Sequence, residues 1–203
     1  MNFEGSQLCR GWRDPGLSIQ SGARADNCLI ACNSNLAATV NLHLPGGVFI
    51  DNGVLVNCTV VDNYGRATGG VWIDNMFGGG VVGSVTNCVM AGNHCVAAAN
   101  DANFLAAKTD GGATGFIAMT AKPVACATDT VKLGDDSVVG TMQGFFRLKR
   151  SRPYSLRDKS PLCDAGVDVN LPTDLLGNSR PFNRRYDIGC YESQVGGFVL
   201  MVR

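Results

Sequence analysis

The phrase Asn27-Cys28-Leu29-Ile30-Ala31-Cys32-Asn33 occurs three times, with changes, in this chain of 203 residues. It returns as Asn57-Cys58-Thr59-Val60-Val61-Asp62-Asn63 and again as Asn87-Cys88-Val89-Met90-Ala91-Gly92-Asn93. The central cysteine and both flanking asparagines advance by the same interval each time, as the positions of Cys28, Cys58 and Cys88 show. A fixed period of this length is typical of repeat proteins, in which one unit stacks on the next.

A second phrase lies between the copies of the first. Gly46-Gly47-Val48-Phe49-Ile50-Asp51-Asn52 returns after a shorter interval as Gly69-Gly70-Val71-Trp72-Ile73-Asp74-Asn75. The insertion Met76-Phe77-Gly78-Gly79-Gly80 lengthens one connection and explains why the two intervals differ. Because the apolar runs are short and end at Gly, Asn or Asp, they predict short strands rather than helices.

Stacked repeats place equivalent residues above one another, with strands ~4.8 Å apart. We therefore predict three structural columns. The cysteine column points into the core, and stacked asparagines pass amide hydrogen bonds from one turn to the next. The columns are Cys28, Cys58 and Cys88; Asn27, Asn57 and Asn87; and Asn33, Asn63 and Asn93.

Composition excludes several classes of function. Charged residues make up 17% of the chain and the formal net charge is zero, which gives no long-range attraction to nucleic acid or anionic membranes. No apolar run has the ~18 to 20 residues of a membrane span. The nine cysteines include no CxxC pair, so a structural zinc site is not expected.

The C-terminal third contains a series of distinctive phrases. They are Phe146-Arg147-Leu148, Ser160-Pro161-Leu162-Cys163-Asp164-Ala165-Gly166, Thr173-Asp174-Leu175-Leu176-Gly177-Asn178-Ser179-Arg180-Pro181 and Asp187-Ile188-Gly189-Cys190-Tyr191-Glu192. In this order they resemble the C-terminal region of bacterial pectin-lyase-like, right-handed β-helix repeat proteins, some of which carry a choice-of-anchor Q domain. The resemblance extends upstream over the repeats and covers roughly residues 26 to 192.

This resemblance implies an all-β fold, a right-handed parallel β-helix (solenoid) with a loop-rich C-terminal capping module. We expect a lead-in or truncated coil at 1–25, coils at 26–125, the capping module at 126–194 and a terminal tail at 195–203. The opening stretch Met1 to Ser6 lacks the basic and apolar regions of a signal peptide. A cytoplasmic protein and the downstream part of an exported product both stay open, and the resemblance favours an extracellular or cell-surface location.

Three carboxylates are the catalytic candidates. Asp51 and Asp74 occupy the same place in neighbouring phrases, so stacking brings them to ~5 Å, near the separation of a retaining glycosidase pair or a calcium site. The alternative is that each Asp forms a turn with the Asn that follows it. Asp62 is a solitary carboxylate in its column. We expect no cofactor, and no further motif supports calcium.

Aromatic and basic residues are the binding candidates. Trp72 and Tyr64 would stack on sugar rings if exposed, although Trp72 is in the phase of the buried strand residues. Arg66 is the cation of that repeat and lies in a turn. Six cations between Arg147 and Lys159 form either an anion or glycan contact surface or a solvated loop.

Two cysteine pairs are candidates for disulfides if the protein is exported. Cys163 and Cys190, both in the closing module, are the first pair, and Cys95 and Cys126 are the second. Either bridge would hold a loop-rich region together.

The sequence favours a surface β-helix that binds a polysaccharide or cell-surface glycan and lacks a catalytic set. A polysaccharide hydrolase or lyase is the alternative, so the sequence leaves enzyme activity undecided. A third hypothesis is a structural role, in which residues 144–203 cap the repeats and prevent edge-to-edge aggregation.

Overall fold

The structure is a computed structural model, and it describes residues 2–4, 7–8, 15–36, 45–74, 83–96, 101–109, 116–118, 123–147 and 152–195. The insertion 76–80 and tail residues 196–203 lie outside these ranges. The described residues form short strands and one helix. In chain order they are β1 (Asn2–Glu4), β2 (Gln7–Leu8), β3 (Leu17–Gln20), β4 (Arg24–Asp26), β5 (Leu29–Ala31), β6 (Ser34–Asn35), β7 (Val48–Asp51), β8 (Val54–Val56), β9 (Thr59–Val61), β10 (Tyr64–Gly65), β11 (Val71–Asp74), β12 (Ser84–Thr86), β13 (Val89–Ala91), β14 (His94–Cys95), β15 (Phe104–Thr109), β16 (Phe116–Ala118), β17 (Ala127–Thr128), β18 (Val138–Val139) and α1 (Met142–Phe145).

The strands pair in four open sheets, numbered here by the order in which the chain enters them from β3 onward. Sheet 1 has the order β16-β15-β11-β7-β3, and sheet 2 has the order β1-β4-β8-β12. Sheet 3 has the order β18-β17-β13-β9-β5-β2, and sheet 4 has the order β14-β10-β6. Among the described strand pairs all are parallel except β15–β16. The fold is therefore all-β.

The repeat phrase sets the register of these sheets. In sheet 3, Ile30 is opposite Val60, which is opposite Met90, so each neighbour lies one period further along the chain. From β3 to β14 the chain passes through sheets 1, 2, 3 and 4 three times in that order. Parallel neighbours need a connection that returns to the same end of the sheet, and here the strands of the other sheets supply it.

Alternating side chains from sheets 1, 2 and 3 share one apolar core. Within β7, for example, Val48 and Ile50 enter this core while Phe49 lies on the opposite face of the sheet. The core residues are Leu17, Ile19, Ala25, Cys28, Ile30, Val48, Ile50, Leu55, Cys58, Val60, Val71, Ile73, Val85, Cys88, Met90 and Cys126.

The cysteine column lies inside this core. The Cys28 backbone N–H donates to Cys58 Sγ at 3.3 Å, and the Cys58 N–H donates to Cys88 Sγ at 3.4 Å. Each thiol donates to the carbonyl two positions before it, as Cys58 Sγ does to Val56 O at 3.2 Å. Burial raises the pKa of Cys58 and Cys88, so these side chains act as small apolar groups with one satisfied donor.

The Asn33 column is a ladder of buried amides. Asn33 Nδ2 donates to Asn63 Oδ1 at 2.9 Å, and Asn63 Nδ2 donates to Asn93 Oδ1 at 3.0 Å. Asn103 extends the ladder by accepting from Asn93 Nδ2 at 3.0 Å. Asn103 Nδ2 then donates to Asp129 Oδ1 at 2.8 Å, so the last amide in the series meets a carboxylate.

The Asn27 column has a different role from the predicted one. Asn27, Asn57 and Asn87 have φ of 52°, 50° and 51°, the left-handed region that Asn tolerates better than most residues. Instead of bonding to one another, Asn27 Nδ2 donates to Thr173 O at 2.9 Å and Asn87 Nδ2 to Val167 O at 2.7 Å. All three asparagines therefore turn the chain between sheets 2 and 3, and Asn27 and Asn87 also hold the C-terminal part of the protein, whereas the buried Asn57 amide has no hydrogen-bond partner among the described residues.

That C-terminal part, named here the closing segment (residues 140–147 and 152–195), lies along the side of the repeats. Its apolar side chains form a second core against the outer face of sheet 3. The Gly189 N–H donates to Asn87 O at 2.8 Å, and the Cys190 N–H donates to Thr59 Oγ1 at 3.1 Å. The closing segment forms hydrogen bonds to Asn27, Thr59 and Asn87, which belong to three successive repeats. A module that capped the end of the stack would instead cover the last repeat.

Buried carboxylates organise the closing segment internally. Asp174 accepts from the backbone N–H groups of Leu176, Asn178 and Glu192 at 2.8 to 2.9 Å. Glu192 accepts from the Phe182 N–H at 2.9 Å, and its Oε2 lies 3.6 Å from Arg180 Nε. Asp174 and Glu192 therefore serve a structural role, since their carboxylates accept hydrogen bonds from backbone N–H groups of the loops.

We predict that Asn63→Ala lowers the free energy of unfolding by about 3 kcal/mol or more, because it removes the acceptor of the Asn33 backbone N–H and the donor to Asn93 Oδ1 and Ile30 O, all of them buried. Chemical denaturation monitored by circular dichroism measures this. Ser34→Ala, at an exposed position next to the ladder, is the control and should change stability by less than about 0.5 kcal/mol. Equal stability of the two variants would contradict a stabilising ladder.

Candidate functional site

The structure brings Asp51 and Asp74 together but buries both. They are opposite one another in the β7–β11 pairing, and Gln20 of β3 is the next residue in the column. Asp51 is 4% exposed and Asp74 is 0% exposed. Asp51 Oδ2 is buried and accepts no hydrogen bond from the described residues. Burial first, and the Asp74 charge second, raise the pKa of Asp51.

Asp62 lies apart from that pair, at the turn between sheets 3 and 4. Its φ is 52°, and its exposed carboxylate accepts a 2.5 Å hydrogen bond from the phenol of Tyr154 in the closing segment. Burial and the Asp62 carboxylate raise the pKa of Tyr154. Gly92 follows Asp62 in the column, where a Cβ would lie 2.6 Å from Asp62 Oδ1. Asp62 therefore links the repeats to the closing segment through this hydrogen bond.

Trp72 offers no surface to a ligand. It is 1% exposed, and its ring packs edge-on against Phe49 with centroids 5.8 Å apart. Leu105 and Ala67 complete this small cluster on the face of sheet 1 opposite the main core. The strand phase of the sequence had already indicated this location.

Tyr64 lies on an exposed surface, which we call the sheet 4 face. From residue 31 to 36 and from 61 to 66, buried and exposed residues alternate strictly, so every second side chain points outward. The face consists of the outward residues of three repeats. They are Cys32, Ser34 and Leu36; Asp62, Tyr64 and Arg66; and Gly92, His94 and Val96.

Two rings stack at the centre of this face. Tyr64 is opposite His94 in the β10–β14 pairing, and their ring centroids are 6.1 Å apart with an interplanar angle of 36°. Tyr64 is 40% exposed. Buried main-chain bonds hold both residues in place, since the N–H groups of Tyr64 and His94 donate to Asn33 O and Asn63 O at 2.8 Å each.

Polar and apolar groups flank the rings. Arg66 is exposed two positions after Tyr64, so its guanidinium is on the same face. Leu36 and Val96 are 49% and 55% exposed and lie two positions beyond the strand partners of Tyr64. The face therefore combines an aromatic surface, a cation and an imidazole on a rigid sheet, which suits stacking and hydrogen bonding to a ring-shaped polar ligand.

The cysteines outside the repeat phrases are not joined as predicted. Cys163, Cys190 and Cys126 are free thiols, so neither predicted disulfide is present. Burial raises the pKa of Cys163 to about 11 and that of Cys190 to about 12. Cys190 packs in the second core, and Cys126 occupies the fourth position of the cysteine column, where its Sγ donates to Val124 O at 3.4 Å. Cys126 and Cys190 instead pack as buried apolar groups.

Among the described residues, no group of three or more His, Cys, Asp or Glu side chains is placed to hold a metal ion. Within the same ranges, no helix has the length and apolar character required to cross a membrane.

Sequence reasoning did not place His94 in the column of Tyr64, Asn103 in the asparagine ladder or Cys126 in the cysteine column. His94 could have been found, because it lies one full period after Tyr64. Asn103 and Cys126 could not, because Asn103 follows Asn93 too soon and Cys126 follows Cys88 too late to match the period. The sequence interval changes after Asn93, yet strand pairing still places Asn103 and Cys126 next in their columns.

No protein-family model matches the chain, and the comparisons with curated proteins and with solved structures find no match.

We predict that Asp51→Asn raises the midpoint of thermal unfolding at pH 7, because Asp51 Oδ2 is buried and accepts no hydrogen bond from the described residues. The raised pKa means that the folded state binds a proton at Asp51 more readily than the unfolded chain does. That stabilisation is complete at low pH and is lost as the pH rises through the folded-state pKa. The variant should therefore lose its advantage toward about pH 4.

Asp136→Asn is the control for this measurement, because Asp136 is exposed. It should leave the unfolding midpoint unchanged over the same pH range. A lower midpoint for Asp51→Asn at pH 7 would mean that the charged carboxylate stabilises the fold, contrary to this interpretation.

Proposed function

We propose that this protein is a right-handed parallel β-helix that binds glycans through the sheet 4 face and has no catalytic role. Four sheets, parallel except at the β15–β16 pair and visited in a constant order from β3 to β14, support the coiled architecture, and the preference of parallel connections for the right hand supports its handedness. An extracellular or cell-surface location is part of the same proposal. It rests on the resemblance of the closing phrases to exported β-helix proteins.

The exposed pair of Tyr64 and His94 is the observation that carries the binding proposal. A sugar ring has one face of C–H groups, which packs on an aromatic surface, and a rim of hydroxyls, which needs donors and acceptors. Tyr64 supplies the surface, while His94 and Arg66 supply polar groups at its edge. Tyr and Arg are also the residue types that contribute most when binding surfaces are truncated.

Rigidity strengthens the proposal. The side chains of the sheet 4 face project from strands whose inner neighbours are the buried amides of Asn33, Asn63 and Asn93. Little backbone entropy is therefore lost when a ligand binds. A flat repeated surface also suits an extended polymer, because successive sugars can contact successive repeats.

We predict that Tyr64→Ala weakens binding to a glycan at least about tenfold. A glycan array first identifies the ligand of the intact protein, and isothermal titration calorimetry then measures its affinity. Phe182→Ala is a matched control, since Phe182 is 42% exposed, close to the 40% of Tyr64, and lies in the closing segment. It should bind as the unmodified protein does.

Two results would contradict this proposal. One is the absence of binding to every glycan on the array. The other is binding that Tyr64→Ala and Phe182→Ala leave equally intact, which would exclude the sheet 4 face as the binding surface.

A polysaccharide hydrolase or lyase is the second candidate, and the Asp51–Asp74 pair favours it. Neighbouring carboxylates with one raised pKa are typical of acid–base pairs in glycosidases. Incubation with a panel of polysaccharides, followed by reducing-end and unsaturated-product assays, tests this. Product release that Asp51→Asn abolishes would replace the non-catalytic proposal.

A further inference from the structure

A groove of about 500 Å³ lies on the closing segment, apart from the residues of the sheet 4 face. One wall is formed by Arg147, Arg152, Ser155 and Leu156, the second by the turn around Leu176 and Asn178, and the third by the extended stretch 191–195. Its volume falls in the range of ~300–1,000 Å³ typical of small-molecule sites. The basic stretch noted in the sequence contributes Arg147 and Arg152 to it.

Only part of the charge in this groove is neutralised. Arg147 forms an ion pair with Asp158. The Glu192 carboxylate is buried, accepts from the Phe182 and Asp187 N–H groups, and lies beside Arg180. For Arg152, by contrast, the described residues provide no ion-pair partner. The groove therefore contains one exposed guanidinium whose charge no described carboxylate neutralises.

The rest of the lining is a mixture of apolar and neutral polar groups. Tyr191 is half-buried, and Leu176 and Val195 are 45% and 55% exposed. Burial raises the pKa of Tyr191 to about 12, while the nearby Arg152 charge lowers it, so the phenol keeps its proton and remains a donor. Asn178 and Ser193 add further hydrogen-bonding groups.

We propose that this groove binds a small organic monocarboxylate. Its carboxylate pairs with the Arg152 guanidinium, whose planar fork matches two carboxylate oxygens. The remainder of the ligand packs on the Tyr191 ring and the Leu176 side chain. Among the described lining residues one cation is uncompensated, and it balances the single negative charge of a carboxylate better than the two charges of phosphate. The proposal is independent of glycan binding at the sheet 4 face.

Calorimetric titrations with four probes and inorganic phosphate test this inference. D-glucuronate and benzoate carry the carboxylate on a sugar and on an aromatic ring, and D-glucose and benzamide are their neutral counterparts. We expect a carboxylate to bind at least about tenfold more tightly than its neutral counterpart, and more weakly as salt increases. The tighter of the two carboxylates identifies the source of the ligand, a sugar acid or an aromatic acid.

Two variants locate the site. Arg152→Ala should weaken carboxylate binding at least about tenfold, while Arg184→Ala, which removes an exposed arginine outside the groove, should leave it unchanged. Tyr64→Ala should also leave it unchanged, which separates this site from the sheet 4 face. Equal binding of charged and neutral probes, preference for phosphate, or full affinity in Arg152→Ala would each overturn the inference.

Discussion

The buried amide ladder from Asn33 to Asn103 is the interaction on which the stacking of the repeats depends. Each amide between its ends both donates to the next one and accepts from the previous one, and Asn63 Nδ2 also donates to Ile30 O at 3.0 Å. A shift of one residue in any repeat would leave buried amides unpaired, at about 1–3 kcal/mol for each group. The ladder therefore fixes the register that the apolar core alone would leave less well defined.

That register also produces the outer surfaces. Because side chains alternate along each strand, fixing Asn33, Asn63 and Asn93 inward fixes Tyr64 and His94 outward. The same alternation turns Phe49, Trp72, Asp51 and Asp74 to the face of sheet 1 away from the main core, where they are nonetheless buried. The outward columns of sheet 1 are therefore covered, whereas the Tyr64–His94 column of sheet 4 is exposed and offers a surface for a ligand.

The closing segment depends on the repeats in turn. Asn27 and Asn87, both with left-handed backbone, donate from their side-chain amides to Thr173 O and Val167 O. Gly189 has a φ of 105° and packs so closely on the repeats that a Cβ there would lie 2.8 Å from Thr59 Oγ1. Its acidic residues Asp174 and Glu192 accept hydrogen bonds from the backbone N–H groups of its loops. The distinctive sequence phrases of the closing segment therefore stabilise its fold. The groove at Arg152 arises between loops that this network holds in place.

The amino-acid sequence by itself determined the period, the short strands and the residues that share a column, because stacking copies a fixed interval along the chain directly into space. It also indicated that Trp72 is buried. The tertiary structure decided that Asp51 and Asp74 are covered, that Cys163 and Cys190 remain thiols, and that the closing segment lies along three repeats. These outcomes depend on contacts between residues far apart in the chain, such as Asp62 with Tyr154, which no local pattern records.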